Sequence, residues 1–191
     1  MLFRDEVIDT YRGRIYGLAI DMGTTTVVIN LVDLEAGSVV HTASFENPQR
    51  FGGSDIMHRI SYDRECPGEL RRSFVNALNH EILEMGRQVG FVRQEIYEIA
   101  VAGNSTMRDI LFGVDVQSVG EKPYKSLTQL AMERGERETT AINVKAKDLG
   151  IRVFPQANVY SGPLISCHLG ADVSADLLAI GMDEQEDVVM L

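Results

Sequence analysis

Residues 15 to 33 set an apolar strand, an acid, a glycine and three consecutive threonines ahead of a second apolar strand: Ile15-Tyr-Gly-Leu-Ala-Ile-Asp21-Met-Gly23-Thr24-Thr25-Thr26-Val-Val-Ile-Asn-Leu-Val-Asp33. Ordinary hairpin tips favour Asn-Gly or Asp-Gly. Threonines are β-branched, so they start strands better than they make turns. The second strand therefore begins while its first residues still line the loop. Gly23 lets the backbone turn tightly and approach a ligand with no side chain between them. Successive backbone N–H groups in such a turn form a concave anion nest, and the hydroxyls of Thr24, Thr25 and Thr26 add donors. Asp21 would repel a bare phosphate unless a hydrated Mg²⁺ lies between them. These residues imply a hairpin that grips Mg–nucleotide; a β-hairpin with a merely polar turn is the alternative.

The chain has 191 residues, enough for one sizeable domain or one lobe of a larger one. Its formal net charge is −10 and its pI is about 4.8. So acidic a surface disfavours phosphate backbones and argues against nucleic acid as a partner. No apolar run approaches the roughly 20 residues that span a bilayer, so no membrane role is expected. The first ten residues carry acids where a signal peptide would be apolar, which predicts a cytoplasmic protein. Cys66 and Cys167 are isolated, which excludes a cysteine-ligated iron–sulfur cluster within this chain and predicts free thiols. The four histidines, His41, His58, His80 and His168, show no metal-ligand spacing.

A polar lead-in over residues 1 to 13 precedes strands at about 15–21, 25–33 and 38–46. Asn47-Pro-Gln-Arg-Phe-Gly-Gly53 reads as a loop, with Ser54 or Asp55 capping a helix whose apolar positions are Ile56, Met57 and Ile60. Pro67 opens a long helix with Leu70, Phe74, Val75, Leu78, Ile82, Met85 and Val89 on one face and Gly90 at its end. A strand at 95–102 runs into Gly103-Asn104-Ser105-Thr106 and a short helix ending at Gly113, so the sheet is mixed. Residues 114 to 150 carry the weakest pattern. A short strand is expected at 151–154, then a helix over 173–180 ending at Gly181, then a strand from 187. An end on apolar Val188 to Leu191 predicts a fragment.

This order of elements resembles the first lobe of the actin-like ATPases, which include heat-shock chaperones, sugar kinases and acetate kinases. The resemblance implies an α/β, ribonuclease H-like lobe over residues 14–191, with helices on both faces of a mixed central sheet. It also implies that Asp21 holds Mg²⁺ through water and that Gly23, Thr24, Thr25 and Thr26 contact the phosphates of Mg-ATP. Asp172 to Gly181 is similar in spacing to the acid-led helix of chaperone ATPases, with Asp for Glu and no following proline. That likeness makes Asp172 a second catalytic, Mg-facing acid, while capping of its own helix is the plainer role. Asn104, Ser105 and Thr106 would face phosphate or water, or simply cap a helix.

The words A-I-D-M-G-T-T-T-V-V, N-P-Q-R-F-G-G-S-D-I-M-H-R-I-S-Y, V-A-G-N-S-T-M and G-A-D-V-S-A-D-L-L-A-I-G-M resemble the ATPase domain of reductive activators of corrinoid proteins. In that family ATP hydrolysis drives electrons from an iron–sulfur ferredoxin domain to oxidised cob(II)alamin on a methyl-transfer protein. The resemblance implies a corrinoid protein as partner, with the second ATPase lobe and the ferredoxin domain absent from this chain. The chain alone is then expected to be inactive, and its uncovered apolar surface to favour self-association, as in a homodimer. A small-molecule kinase lobe and a non-catalytic actin-like scaffold remain open as alternatives.

Overall fold

Alternating burial along two successive strands builds the first half of the core, and a third strand follows at the edge of the sheet. The computed structural model describes residues 2–3, 6–7, 9–165 and 170–179. It opens with a short antiparallel pair, β1 (Leu2–Phe3) and β2 (Glu6–Val7), where the sequence suggested only a polar lead-in. β3 (Tyr16–Met22), β4 (Thr26–Asp33) and β5 (Ser38–Glu46) then form an antiparallel meander. Even-numbered side chains of β3 and odd-numbered side chains of β4 are buried, as the two-residue strand period requires.

A 3₁₀ turn, Pro48–Gly52, leads to α1 (Ile56–Glu65), which Asp55 caps by accepting the His58 N–H. Ile60 is buried, but Met57 is 52% exposed and belongs to no core. α2 (Glu69–Val89) starts two residues after Pro67 because Gly68 takes a left-handed N-cap conformation. Its residues Leu70, Phe74, Val75, Leu78, Ile82 and Met85 are buried, and Gly90 ends it with φ +79°. Phe74, Leu78 and Ile82 pack with Leu18, Ile20, Ile29 and Ile99 in the main core. Each such side chain contributes roughly 1.5–3 kcal/mol by burial.

β6 (Ile96–Gly103) returns parallel to β3, as expected of a mixed sheet. It runs directly into α3 (Ser105–Phe112). The weakly patterned region holds α4 (Gln117–Gly120), α5 (Leu127–Glu133), β7 (Ile142–Lys145) and α6 (Ala146–Leu149). The strand expected at 151–154 is absent; β8 (Asn158–Ser161) takes that place beside β6. Ile151 and Val153 are buried as that strand would bury them, yet their stretch is anchored to α6 by bonds such as Ile151 N–H to the Ala146 carbonyl. The six-stranded order is β5-β4-β3-β6-β8-β7.

α7 (Ala171–Ala179) lies against β6. Its Ala171 and Ala175 face Ala19, Ala100 and Ala102, on the sheet face opposite the α2 core. Cys167, His168, Gly181 and the strand expected from 187 lie outside the described residues. Cys66 is a free, half-buried thiol.

Candidate functional site

The threonine loop closes between β3 and β4 because Gly23 has no side chain. A Cβ there would sit 2.6 Å from the Thr26 carbonyl oxygen, closer than any real Cβ contact. Close approach, not a left-handed φ, is what demands glycine at this position.

Buried donors hold three successive carbonyls of this loop. Asn47 Nδ2 donates to the Gly23 oxygen at 2.7 Å, Arg59 Nη2 to the Thr24 oxygen at 2.5 Å, and the Asn47 N–H to the Thr25 oxygen at 2.7 Å. In a planar trans peptide the next residue's N–H points opposite to the carbonyl. The N–H groups of Thr24, Thr25 and Thr26 therefore face away from Asn47 and Arg59. Among the described residues no protein acceptor meets the Thr24 or Thr25 N–H. Thr25 and Thr26 are exposed and Thr24 is half-buried, so these donors are open to a ligand.

Both anchors are fully buried, and each is held by its own element. Asn47 follows β5 and caps the 3₁₀ turn by accepting the Gln49 N–H. Arg59 lies in the second turn of α1 and also donates from Nε to the Gly53 carbonyl and from Nη1 to Met107 Sδ, each at 3.0 Å. Burial pulls the Arg59 pKa down from its ordinary value. That ordinary value stands so far above neutrality that the guanidinium stays charged.

Asp21, one residue before the end of β3, lies beside two acids of α7, Asp172 and Asp176. Partial desolvation pushes the Asp21 carboxyl upward, and the like charges of Asp172 and Asp176 push it further. Asp172 and Asp176 are four residues apart, which puts them on one helix face. The Asp172 carboxylate also accepts the Val173 N–H at 2.8 Å, a contact within its own first turn. Among the described residues no three His, Cys, Asp or Glu side chains converge closely enough to ligate a metal directly.

The Gly103–Thr106 turn meets the same end of α7. A Cβ on Gly170 would lie 2.3 Å from the Gly103 oxygen, so the entry to α7 rests on this backbone. Asn104 Oδ1 accepts the Met107 N–H at 3.0 Å and caps α3. Ser105 and Thr106 are 1% and 2% exposed. A cavity of about 290 Å³ runs from Asp21 along Ala19, Ala100 and Ala102 to Ala171 and Ala175.

The structure thus gathers Asp21, Gly23, Thr24, Thr25, Thr26 and Asp172 at one end of the sheet, with Asn104 adjoining. Sequence reasoning missed Asn47, Arg59 and Asp176. Asp176 was legible from its i,i+4 spacing to Asp172. Arg59 carried one signal, an arginine next to apolar Ile60 on a short helix.

A model of the RACo middle region family matches residues 16–185. The corrinoid activation enzyme RamQ of Eubacterium limosum is 29% identical over 174 residues, which is 90% of this chain and 28% of RamQ. A solved structure of a reductive activator for corrinoid, iron–sulfur protein superposes with a TM-score of 0.83 at 31% identity. That match covers 94% of this chain and 27% of the other. The chain therefore spans a little over a quarter of the length of either relative.

Proposed function

The chain belongs to the RACo middle region family, and from that premise we propose that it is the Mg-ATP-gripping lobe of an ATPase that drives reductive reactivation of a corrinoid methyl-transfer protein. The observation that carries this reading is the threonine loop, whose carbonyls are pinned inward by Asn47 and Arg59 while, among the described residues, no protein acceptor meets the Thr24 and Thr25 N–H groups. Orphaned donors in sequence call for an anion. The upward-shifted Asp21, crowded by Asp172 and Asp176, calls for a cation beside it. An anion and a cation side by side are what a metal–polyphosphate supplies.

In this reading the Thr24, Thr25 and Thr26 N–H groups and hydroxyls hold phosphate oxygens. Asp21 and Asp172 hold the water shell of Mg²⁺, and Asp176 adds to their charge. Asn104, at the start of α3, would orient water or phosphate, with the buried Ser105 and Thr106 behind it. Phosphoryl transfer needs such charge neutralisation and positioning more than covalent chemistry, and bound Mg²⁺ would supply the neutralisation. The order of elements, a meander followed by parallel β6 and β8, supports the ribonuclease H-like, actin-like lobe. A corrinoid protein as partner is supported by the names of the two relatives. Electrons would come from an iron–sulfur domain outside residues 1–191.

The test uses Asp21→Asn and Asp21→Ala in the protein that carries this chain. ATP-dependent formation of cob(I)alamin, followed by absorbance, should fall by about a hundredfold or more in both. Unchanged reduction in Asp21→Ala would favour a scaffold and overturn the proposal.

A further inference from the structure

Arg59 is a fully buried cation whose three nitrogens meet, among the described residues, only neutral acceptors: the Gly53 and Thr24 carbonyls and the Met107 sulfur. Among the described residues no carboxylate forms an ion pair with it. Asp55, whose charge reaches Arg59 without a direct contact, is engaged with His58 through both its carboxylate oxygens. This contrasts with the other fully buried arginine among the described residues, Arg108, which is paired with Asp109 at 2.7 Å. Burying a charge with no counter-charge in contact is costly, and a partner arriving from outside would offset that cost.

The position of Arg59 says where that partner would bind. Its Nη2 is bonded to the Thr24 carbonyl, and the same peptide unit carries the Thr25 N–H, which faces the opposite way and meets no protein acceptor among the described residues. A cation on the carbonyl polarises the peptide and makes that N–H a stronger donor. Arg59 also bridges the threonine loop and α3, touching Thr24 on one side and Met107 on the other. We propose that Arg59 is the electrostatic positioning residue of the threonine loop, a buried counter-charge that acts through the Thr24–Thr25 peptide and is matched by the polyphosphate of the bound nucleotide. This rests on the reading of the loop as a phosphate site. It adds a residue that touches no ligand and sets the affinity of those that do.

The test compares wild type, Arg59→Lys and Arg59→Met for binding of Mg-ATP, pyrophosphate and uncharged adenosine by calorimetry. Amide spectra report the fold of each variant. Removing one buried charge beside a multiply charged anion should weaken Mg-ATP and pyrophosphate by about tenfold to a hundredfold. Adenosine binding should hardly change, and Arg59→Lys should recover most of the loss. A brace without electrostatic work would leave Arg59→Lys as impaired as Arg59→Met, and that result overturns the proposal. Equal anion binding by wild type and Arg59→Met overturns it as well, while leaving the loop's phosphate role intact. Failure of the wild type to bind Mg-ATP or pyrophosphate overturns the phosphate reading itself. If Arg59→Met does not fold, the wild type carries the test. Its Thr25 amide and Arg59 Nε–H resonances must both move on titration with pyrophosphate, and stationary resonances refute the coupling.

Discussion

Gly170 rests directly on Asn104: a Cβ added to Gly170 would lie 2.5 Å from the Asn104 Cα. The backbone, not a flexible side chain, is what it would strike. This contact seats the start of α7 on the β6–α3 turn and so delivers Asp172 to Asp21. Gly170→Ala must push the two backbones apart, at a cost of about 1–3 kcal/mol. Urea denaturation should register that cost. The Asp21 titration should also move back toward an ordinary carboxylate, because Asp172 and Asp176 withdraw.

Asn47 is a second structural determinant of the loop. Its amide donates to the Gly23 oxygen while its Oδ1 accepts the Gln49 N–H. Asn47→Ala strands both partners in a buried site, and each stranded group costs about 1–3 kcal/mol. Asn47→Asp keeps the acceptor but sets a carboxylate oxygen against the Gly23 carbonyl. Chemical denaturation should therefore rank Asn47→Asp as at least as damaging as Asn47→Ala.

The acid cluster gives a pH dependence of defined sign. Asp21 is shifted upward in the folded chain, first by desolvation and then by Asp172 and Asp176. The folded state then holds its proton more tightly than the unfolded state. The resulting stability is complete below the unfolded pKa and disappears as pH rises through the folded one. Near neutral pH the ionised Asp21 works against the fold. Asp21→Asn should consequently raise the melting temperature at pH 7 and flatten its dependence in the weakly acidic range. Carbon-detected titration of Asp21 should show a midpoint above the usual carboxylate range, lowered by Asp172→Asn and by added Mg²⁺.

Arg108 and Asp109 form a fully buried pair in α3. Arg108 also donates to the Thr140 carbonyl at 2.9 Å and the Thr128 hydroxyl at 2.8 Å. The Thr140 hydroxyl accepts the Leu164 N–H at 2.7 Å, which ties this network to the segment that leads toward α7. Arg108→Met leaves the Asp109 carboxylate buried without its partner and should cost about 3–5 kcal/mol in urea denaturation. Replacing both residues by apolar ones should cost less than Arg108→Met alone.

The meander, α2 and the β6–α3 unit were legible because each rests on a local signal: strand alternation, a sustained 3.6-residue stripe, or a glycine-led cap. The Asp55 cap and the Gly90 stop were readable for the same reason. The stretch at 151–154 misled because burial of Ile151 and Val153 mimics a strand, while ladder pairing is decided by partners far along the chain. β8 was invisible for that reason, since Asn158 and Tyr160 lack a strand's apolar alternation on their face. In the site, the loop itself was legible but its supports were not. Asn47 lies 24 residues from Gly23 and Arg59 lies 35 from Thr24, and such long-range bonds leave no periodic trace.

The phosphate-gripping role of the loop is tested most directly by titrating Mg-ATP into isotope-labelled protein while following the amide resonances of Gly23, Thr24, Thr25 and Thr26. Those amides should shift together and saturably, and Gly23→Ala, whose Cβ would meet the Thr26 oxygen at 2.6 Å, should abolish the response. Amides that stay still in the loop while Mg-ATP binds elsewhere, or an unchanged response in Gly23→Ala, would contradict it.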